Sequence, residues 1–396
     1  MMQISPEIQL FIREHSSDDV RVLALQAKKY PDIDMPTAIT QIAGRKVAAE
    51  KIPSWWEIEK IWYPKHLSLE QCSSEITARY KARLLQGDSL TDLTGGFGID
   101  CSFLATGFKS ATYVERQEEL CEIAAHNFPV LNLNHINIKN EDGVTYLQAM
   151  SPVDCLFLDP ARRNEHGGKT VAISDCEPNV AELEELLLQK ANRVMIKLSP
   201  MLDLSLALKE LKQTQEVHIL SVNNECKELL ILLGQTSPTE ISIHCVNLST
   251  KGTQEEQHFV FTREQEQCSE CTYTDSLETY LYEPNASLLK AGAFRSIAAA
   301  YPVRKLHPNS HLYTSDTFIE NFPGRIFRIV NQCSFNKKEV KENLADLKKA
   351  NVTVRNFPAT VAELRKRIHL AEGGDTYLFA STLNNGQKVL IRCEKV

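Results

Sequence analysis

Between residues 89 and 234 short strand-like runs alternate with helical stretches, and this alternation limits the fold more than any other feature. The runs are SLTDLT, ATYVE, INIKN, CLFLD, RVMIKL, EVHILSV and ELLILLG. Helices between strands predict a parallel sheet covered on both faces. The last two runs break that rule, because only NNECK separates them. A parallel crossover needs a dozen or more residues, so this pair must be antiparallel. The chain is therefore expected to be α/β, with a mostly parallel sheet closed by one antiparallel hairpin. An apolar content of 43% and a charged content of 24% supply an ordinary core.

At 396 residues there is room for more than one domain. Residues 1–70 read as a helical domain. SSDDVRVLALQAKKY and TAITQIAGRKVAAEK space apolar residues by three and four behind Ser, Asp or Thr caps. Trp55, Trp56 and Trp62 cluster near Pro53 and Pro64 and are expected to form a packing hub. Residues 71–240 hold the α/β domain, and 241–283 read as a β extension. A mixed segment covers 284–325. Residues 326–396 read strand, helix, strand, helix and hairpin, with Asn385-Gly386 marking the hairpin.

No apolar run is long enough to span a bilayer, and MMQISPEIQLFIREH carries no export signal. A cytoplasmic protein is expected, with its 11 cysteines as free thiols. Cys268 and Cys271 form the sole close pair, CSEC, and no second pair accompanies them as zinc would require. No metal is expected. Net charge is −7, but residues 285–396 hold 18 Lys+Arg against 9 Asp+Glu, a balance of +9. A basic tail on an acidic body suggests an anionic partner.

The turn DLTGGFGID lets a ligand approach backbone without a Cβ in the way. It does not fit a nicotinamide fingerprint, because Cys101 takes the third glycine's place. Asp92 and Asp100 would also repel a pyrophosphate. An acidic turn suits a ligand with a positive centre and an ammonium group.

DLTGGFG resembles the first motif of class I methyltransferases, which bind S-adenosylmethionine on a Rossmann-like sheet closed by an antiparallel hairpin. The resemblance covers about residues 73–235. It implies that Thr94, Gly95, Gly96 and Gly98 form the cofactor turn and that Asp92 meets the methionine ammonium. It places Glu115 on the ribose hydroxyls and Asp142 on the adenine amino group. Asp159 and Pro160, in LFLDPARR, would lie over the reactive methyl. In related enzymes a helix such as SSEITARYKARLL lids the cofactor, with Tyr80 and Lys81 as candidate contacts.

DPAR resembles the D/N-P-P-aromatic motif of base amino-methyltransferases, but Ala161 and Arg162 replace the second proline and the stacking aromatic. Arg162 and Arg163 could hold a phosphate. DPAR also resembles the DPPR turn of uracil-C5 RNA methyltransferases. Those need a cysteine after the fifth strand, where this chain reads IKLSPM with Ser199. The DLTGGFG and YVERQ segments are similar to a bacterial small-subunit ribosomal guanine-N2 methyltransferase.

The tail resembles a THUMP-like domain, and the segment before it resembles the small ferredoxin-like insert of a bacterial family of RNA methyltransferases. That resemblance implies binding to rRNA or tRNA. Arg325, Arg328, Lys337, Lys338, Arg365, Lys366 and Arg367 are then candidate phosphate contacts. The expected function is methylation of an RNA base at an exocyclic amino nitrogen, guanine N2 or adenine N6. A small-molecule or protein methyltransferase, and a non-catalytic RNA-binding protein, stay open as alternatives.

Overall fold

The computed structural model describes residues 4–162, 172–236, 238–250 and 256–396. They divide into two units. One takes the chain up to residue 215 together with 229–238; the other takes 216–228 and the chain from 239 on.

The first unit opens with helices α1 (Pro6–Glu14), α2 (Val20–Leu25), α3 (Met35–Lys51), α4 (Pro53–Trp56), α5 (His66–Gln71) and α6 (Glu75–Ala82). Their starts follow local chemistry: the Ser5 hydroxyl caps α1 ahead of Pro6, and Asp34 caps α3 ahead of Pro36. Ile8, Phe11 and Ile12 repeat at helical spacing and bury against Leu23, Met35 and Ile42. Trp55 is a packing hub, edge-on to Phe97 at 5.2 Å, while Trp62 stacks on His126 at 3.7 Å. Two buried amides pin the backbone between these helices and the sheet. Gln41 exchanges two hydrogen bonds with Tyr63, and Asn127 exchanges two with Trp62.

The strands are β1 (Ser89–Asp92), β2 (Ser110–Glu115), β3 (Ile136–Asn140) and β4 (Val153–Leu158), with α7 (Ile99–Ala105), α8 (Glu118–Val130) and α9 (Gly143–Ala149) between them. A short pair, β5 (Ala161–Arg162) and β6 (Cys176–Glu177), is antiparallel. Then come α10 (Val180–Lys190), β7 (Ala191–Leu198) and α11 (Leu204–Glu210). β1 lies between β2 and β4, β3 pairs with β2, and β7 pairs with β4; all of these are parallel. β8 (Thr214–Val222) and β9 (Glu225–Gly234) form the closing hairpin, and β9 runs antiparallel to β7. Its turn is Asn223 and Asn224, at φ 50 and 67. A two-residue hairpin turn of this hand needs positive φ at both positions, which asparagine tolerates.

In the second unit β10 (Ser242–Leu248) lies parallel to β8 and antiparallel to β11 (Glu256–Thr262). α12 (Arg263–Cys268) follows. Next come β12 (Tyr280–Pro284), α13 (Ala286–Ala291), α14 (Ser296–Ala300), β13 (Arg304–Lys305) and β14 (Tyr313–Ser315). The chain ends with β15 (Gly324–Ser334), α15 (Lys337–Leu344), β16 (Asn351–Val354), α16 (Val361–Ile368), β17 (Thr376–Thr382) and β18 (Lys388–Lys395). One seven-stranded sheet holds all of these strands from β12 on, in the order β13-β14-β12-β15-β18-β17-β16. The breaks expected at 283/284 and 325/326 fall inside β12 and β15, which pair with each other. Their pairing puts Leu281 and Phe327 in one core with Phe379 and Ile391.

Candidate active site

The carboxyl ends of β1, β2 and β4 carry the glycine turn and its acids. Gly95 donates its N–H to the Val114 carbonyl at 2.8 Å, which lays the turn against β2. A Cβ on Gly95 would sit 2.2 Å from the buried Tyr113 ring, so only glycine fits there. Gly96 and Gly98 have φ of 53 and 86, the left-handed region glycine enters without strain. Tyr113 donates its hydroxyl hydrogen to the Gly96 carbonyl at 2.5 Å. Glu115 ends β2 and accepts from Gly96 N at 2.9 Å and from Gln117 N at 2.8 Å. The Thr94 hydroxyl accepts the Asp159 N–H at 2.6 Å, tying the turn to the end of β4.

Asp92 accepts from Thr94 N through Oδ1 at 3.0 Å. Its Oδ2 is buried and has no hydrogen-bond partner among the described residues. Burial, with Asp100, Asp159 and Glu115 nearby, pushes its carboxyl well above the ordinary range. An orphaned buried oxygen in negative surroundings is a place for a cation.

A buried charge network underlies the turn. Lys81, fully buried on α6, meets Asp100 Oδ1 at 3.0 Å and donates to the Ser73 hydroxyl at 2.8 Å. Ser73 in turn donates to Asp100 Oδ2 at 2.7 Å. Lys197, near the end of β7, lies 3.4 Å from Asp100 and 2.5 Å from Asp159 Oδ2. Burial works against the Asp100 charge, but Lys81, Lys197 and Ser73 outweigh it and hold the carboxyl down to about 2. The Asp159 side chain is 37% exposed, so it reaches solvent while Lys197 anchors it from below.

Asp92, Thr94, Gly95, Gly96, Gly98, Glu115, Asp159 and Pro160 are thus assembled by three neighbouring strand ends. Asp142 is the N-cap of α9, its Oδ1 accepting from Val144 N and Thr145 N, both at 3.0 Å. Arg162 stands in β5 opposite Cys176, and Arg163 lies outside the described residues. Tyr80 is buried beneath the Arg83 guanidinium at 4.7 Å. Lys81 points to Asp100 and Ser73, where the sequence suggested a cofactor contact.

Sequence reasoning missed Lys197 and the Ser73–Asp100–Lys81 network. One signal for Lys197 was present. It is a charge set directly among Val194, Met195, Ile196 and Leu198, all of them buried, and such a lysine needs a partner.

The seven basic residues of the tail differ in surroundings. Arg325 and Arg355 both hold the buried Glu283 carboxylate, so Arg325 is an internal anchor. Arg365 is half-buried and donates to the Ala350 carbonyl at 3.3 Å. Arg328 pairs with Glu394 at 2.7 Å, both exposed. Arg367 stacks over Phe335 at 4.0 Å. Lys337, Lys338 and Lys366 are exposed.

A solved structure of a "putative methyltransferase" from Porphyromonas gingivalis W83 matches at 35% identity and a TM-score of 0.87, over 98% of each chain. The chain belongs to that protein's family. A family model described as a ferredoxin-like domain matches residues 280–323, and one described as THUMP domain-like matches 324–395. An rRNA methylase from Streptococcus thermophilus matches at 14% identity and a TM-score of 0.30, over 40% of this chain and 93% of that one. A Streptococcus mutans protein named in the same way as the first, solved in complex with SAH, matches at 14% and 0.30 over 40% of this chain and 96% of that one. No curated protein matches.

The first unit has a methyltransferase fold and the tail is THUMP-like. At the strand ends the arrangement offers a cation site at Asp92, acceptors at Glu115, and a reachable carboxylate at Asp159 held from two sides.

Proposed function

We propose that the protein transfers a methyl group from S-adenosylmethionine to an exocyclic amino nitrogen of an RNA base. One observation carries the reading. Asp159 stands at the end of β4 with its backbone held by Thr94 and its Oδ2 held by Lys197, so its Oδ1 is presented in a fixed direction.

Bound S-adenosylmethionine supplies an electrophilic methyl on a positively charged sulfur. The chain's residues fit that molecule. The orphaned Asp92 Oδ2 would take the methionine ammonium, and Glu115 would accept the ribose hydroxyls. Gly96 and Gly98 keep the turn free of side chains, and Asp142 would face the adenine amino group. Asp159 Oδ1 accepts an N–H of the target amine and aims the nitrogen lone pair. Positioning of this kind can supply about 7–11 kcal/mol of a barrier. Lys197 keeps the Asp159 carboxylate from turning away. The THUMP-like tail, through Lys337, Lys338 and Lys366 and the more constrained Arg328 and Arg367, would hold RNA phosphates without choosing sequence. Arg162 and Arg163 are proposed to hold a phosphate near the acceptor.

The test is methylation of RNA from cells that lack the gene, using the purified protein and labelled donor, followed by nucleoside mass spectrometry. One N-methylated base is expected. Label in protein, in a small molecule, on ribose or on a base carbon would overturn the reading. Asp159→Ala should lower single-turnover methylation by two or more orders of magnitude, as misplacement by about 1 Å can do. It should leave S-adenosylhomocysteine affinity almost unchanged, and Asp159→Asn should keep part of the activity. Full activity in a folded Ala variant would remove Asp159 from the mechanism.

A further inference from the structure

In the second unit, three adjacent strands place a carboxylate and three imidazoles on one sheet face. Glu216 and His218 are two residues apart on β8. His244 on β10 is the cross-strand partner of His218, as Ser242 is of Glu216. His258 on β11 pairs opposite Val246, one step diagonal to His244. One ligand atom from each of Glu216, His218 and His244 lies within 4.8 Å of the other two. The His218 Nε2–Glu216 Oε2 separation is 3.2 Å and the His244 Nδ1–His258 Nε2 separation is 3.1 Å.

From these positions we infer a divalent transition-metal site, best suited to zinc, held by Glu216, His218, His244 and His258. Imidazole and carboxylate are zinc's common ligands, and four of them complete a structural shell. Zinc–ligand bonds of about 2.0–2.1 Å put neighbouring tetrahedral donors roughly 3.3 Å apart. The two observed separations are close to that spacing. The rings of His218 and His244 now stack at 4.3 Å, so a ring rotation must turn both donor atoms toward one point. Ser242 Oγ lies 3.1 Å from His244 Nε2, where it can accept that nitrogen's hydrogen and leave the Nδ1 lone pair for the metal. Such a partner orients a metal-bound histidine and sets its tautomer. His258 is exposed and gives the ion a way in. β11 is the last strand of its sheet, so the ion would staple that edge to β10 and β8. The sequence did not suggest this site, since its three histidines are 26 and 14 residues apart.

The experiment uses full-length, untagged protein stripped with a chelator and then given zinc chloride. Bound zinc is measured after gel filtration, and cobalt(II) is added separately for its visible absorption. The expected result is one zinc per chain, a tetrahedral cobalt spectrum, and a higher melting temperature with zinc than without. Glu216→Gln, which keeps the shape, should weaken zinc binding at least tenfold, and His218→Ala with His244→Ala should abolish it. Cys268→Ser with Cys271→Ser should change nothing. The site is overturned if the wild type binds no zinc, if stoichiometry survives the double histidine substitution in a folded protein, or if binding disappears with the cysteines.

Discussion

Asp100→Asn removes one charge from the buried network and almost no volume. In the native protein Asp100 faces Lys81 at 3.0 Å, Lys197 at 3.4 Å and the Ser73 hydroxyl at 2.7 Å. A carboxyl held at about 2 in place of its ordinary 3.8 contributes about 2–3 kcal/mol of stability at neutral pH. A second route gives a similar size: taking one partner from a buried ion pair costs about 3–5 kcal/mol, because the remaining charge stays buried. Lys81 is that charge, with no exposure at all. Lys197 keeps Asp159, which favours the lower end. A loss of about 3 kcal/mol is therefore expected for the first unit at pH 7. The sign with pH follows from the depressed value. The Asp100 contribution is complete above about pH 5 and fades as pH falls through 4 toward 2, so the gap between wild type and variant must narrow there. Urea unfolding of both proteins at pH 7 and at several lower values measures this. Equal stability at pH 7 would show that the lysines do not depend on Asp100, and the network would lose its structural role.

Glu115→Ala should weaken S-adenosylhomocysteine binding tenfold or more in calorimetry, since it leaves ribose hydroxyls unpaired at about 1–3 kcal/mol and also frees the Gly96 N–H that sets the turn. Unchanged affinity in a folded variant would end the ribose assignment. Replacing Lys337, Lys338 and Lys366 by alanine together should flatten the salt dependence of RNA binding, by roughly 0.7–0.9 in log–log slope for each phosphate that a lysine no longer neutralises. An identical slope would take these three lysines out of the RNA interface.

Much of the first unit was legible in the chain itself. Strand and helix periods, the glycine turn and the five-residue link before ELLILLG depend on neighbours in sequence, and each stands in the structure as those neighbours imply. So do the strand-end positions of Asp92, Glu115 and Asp159, because a strand's end is a local event. β12 was missed because YLYEP is five residues long and is defined by pairing with Arg325 and its neighbours, 40 to 48 positions on. The basic tail showed its charge, but composition does not distinguish Arg325, committed to buried Glu283, from exposed Lys337.

The deciding contacts at the site are of the same long-range kind. Lys81, Asp100 and Lys197 are 19 and 97 residues apart, on a helix, a second helix and a strand. Nothing in their local sequence says they meet. The sheet brings β7 beside β4, the turn after β1 sends α7 across their ends, and α6 packs over α7. Only then do two lysines lose their water and need a carboxylate each. A local pattern can place a charged residue in the chain, but the free energy of that charge depends on solvent and on distant partners, and those are set by the tertiary structure.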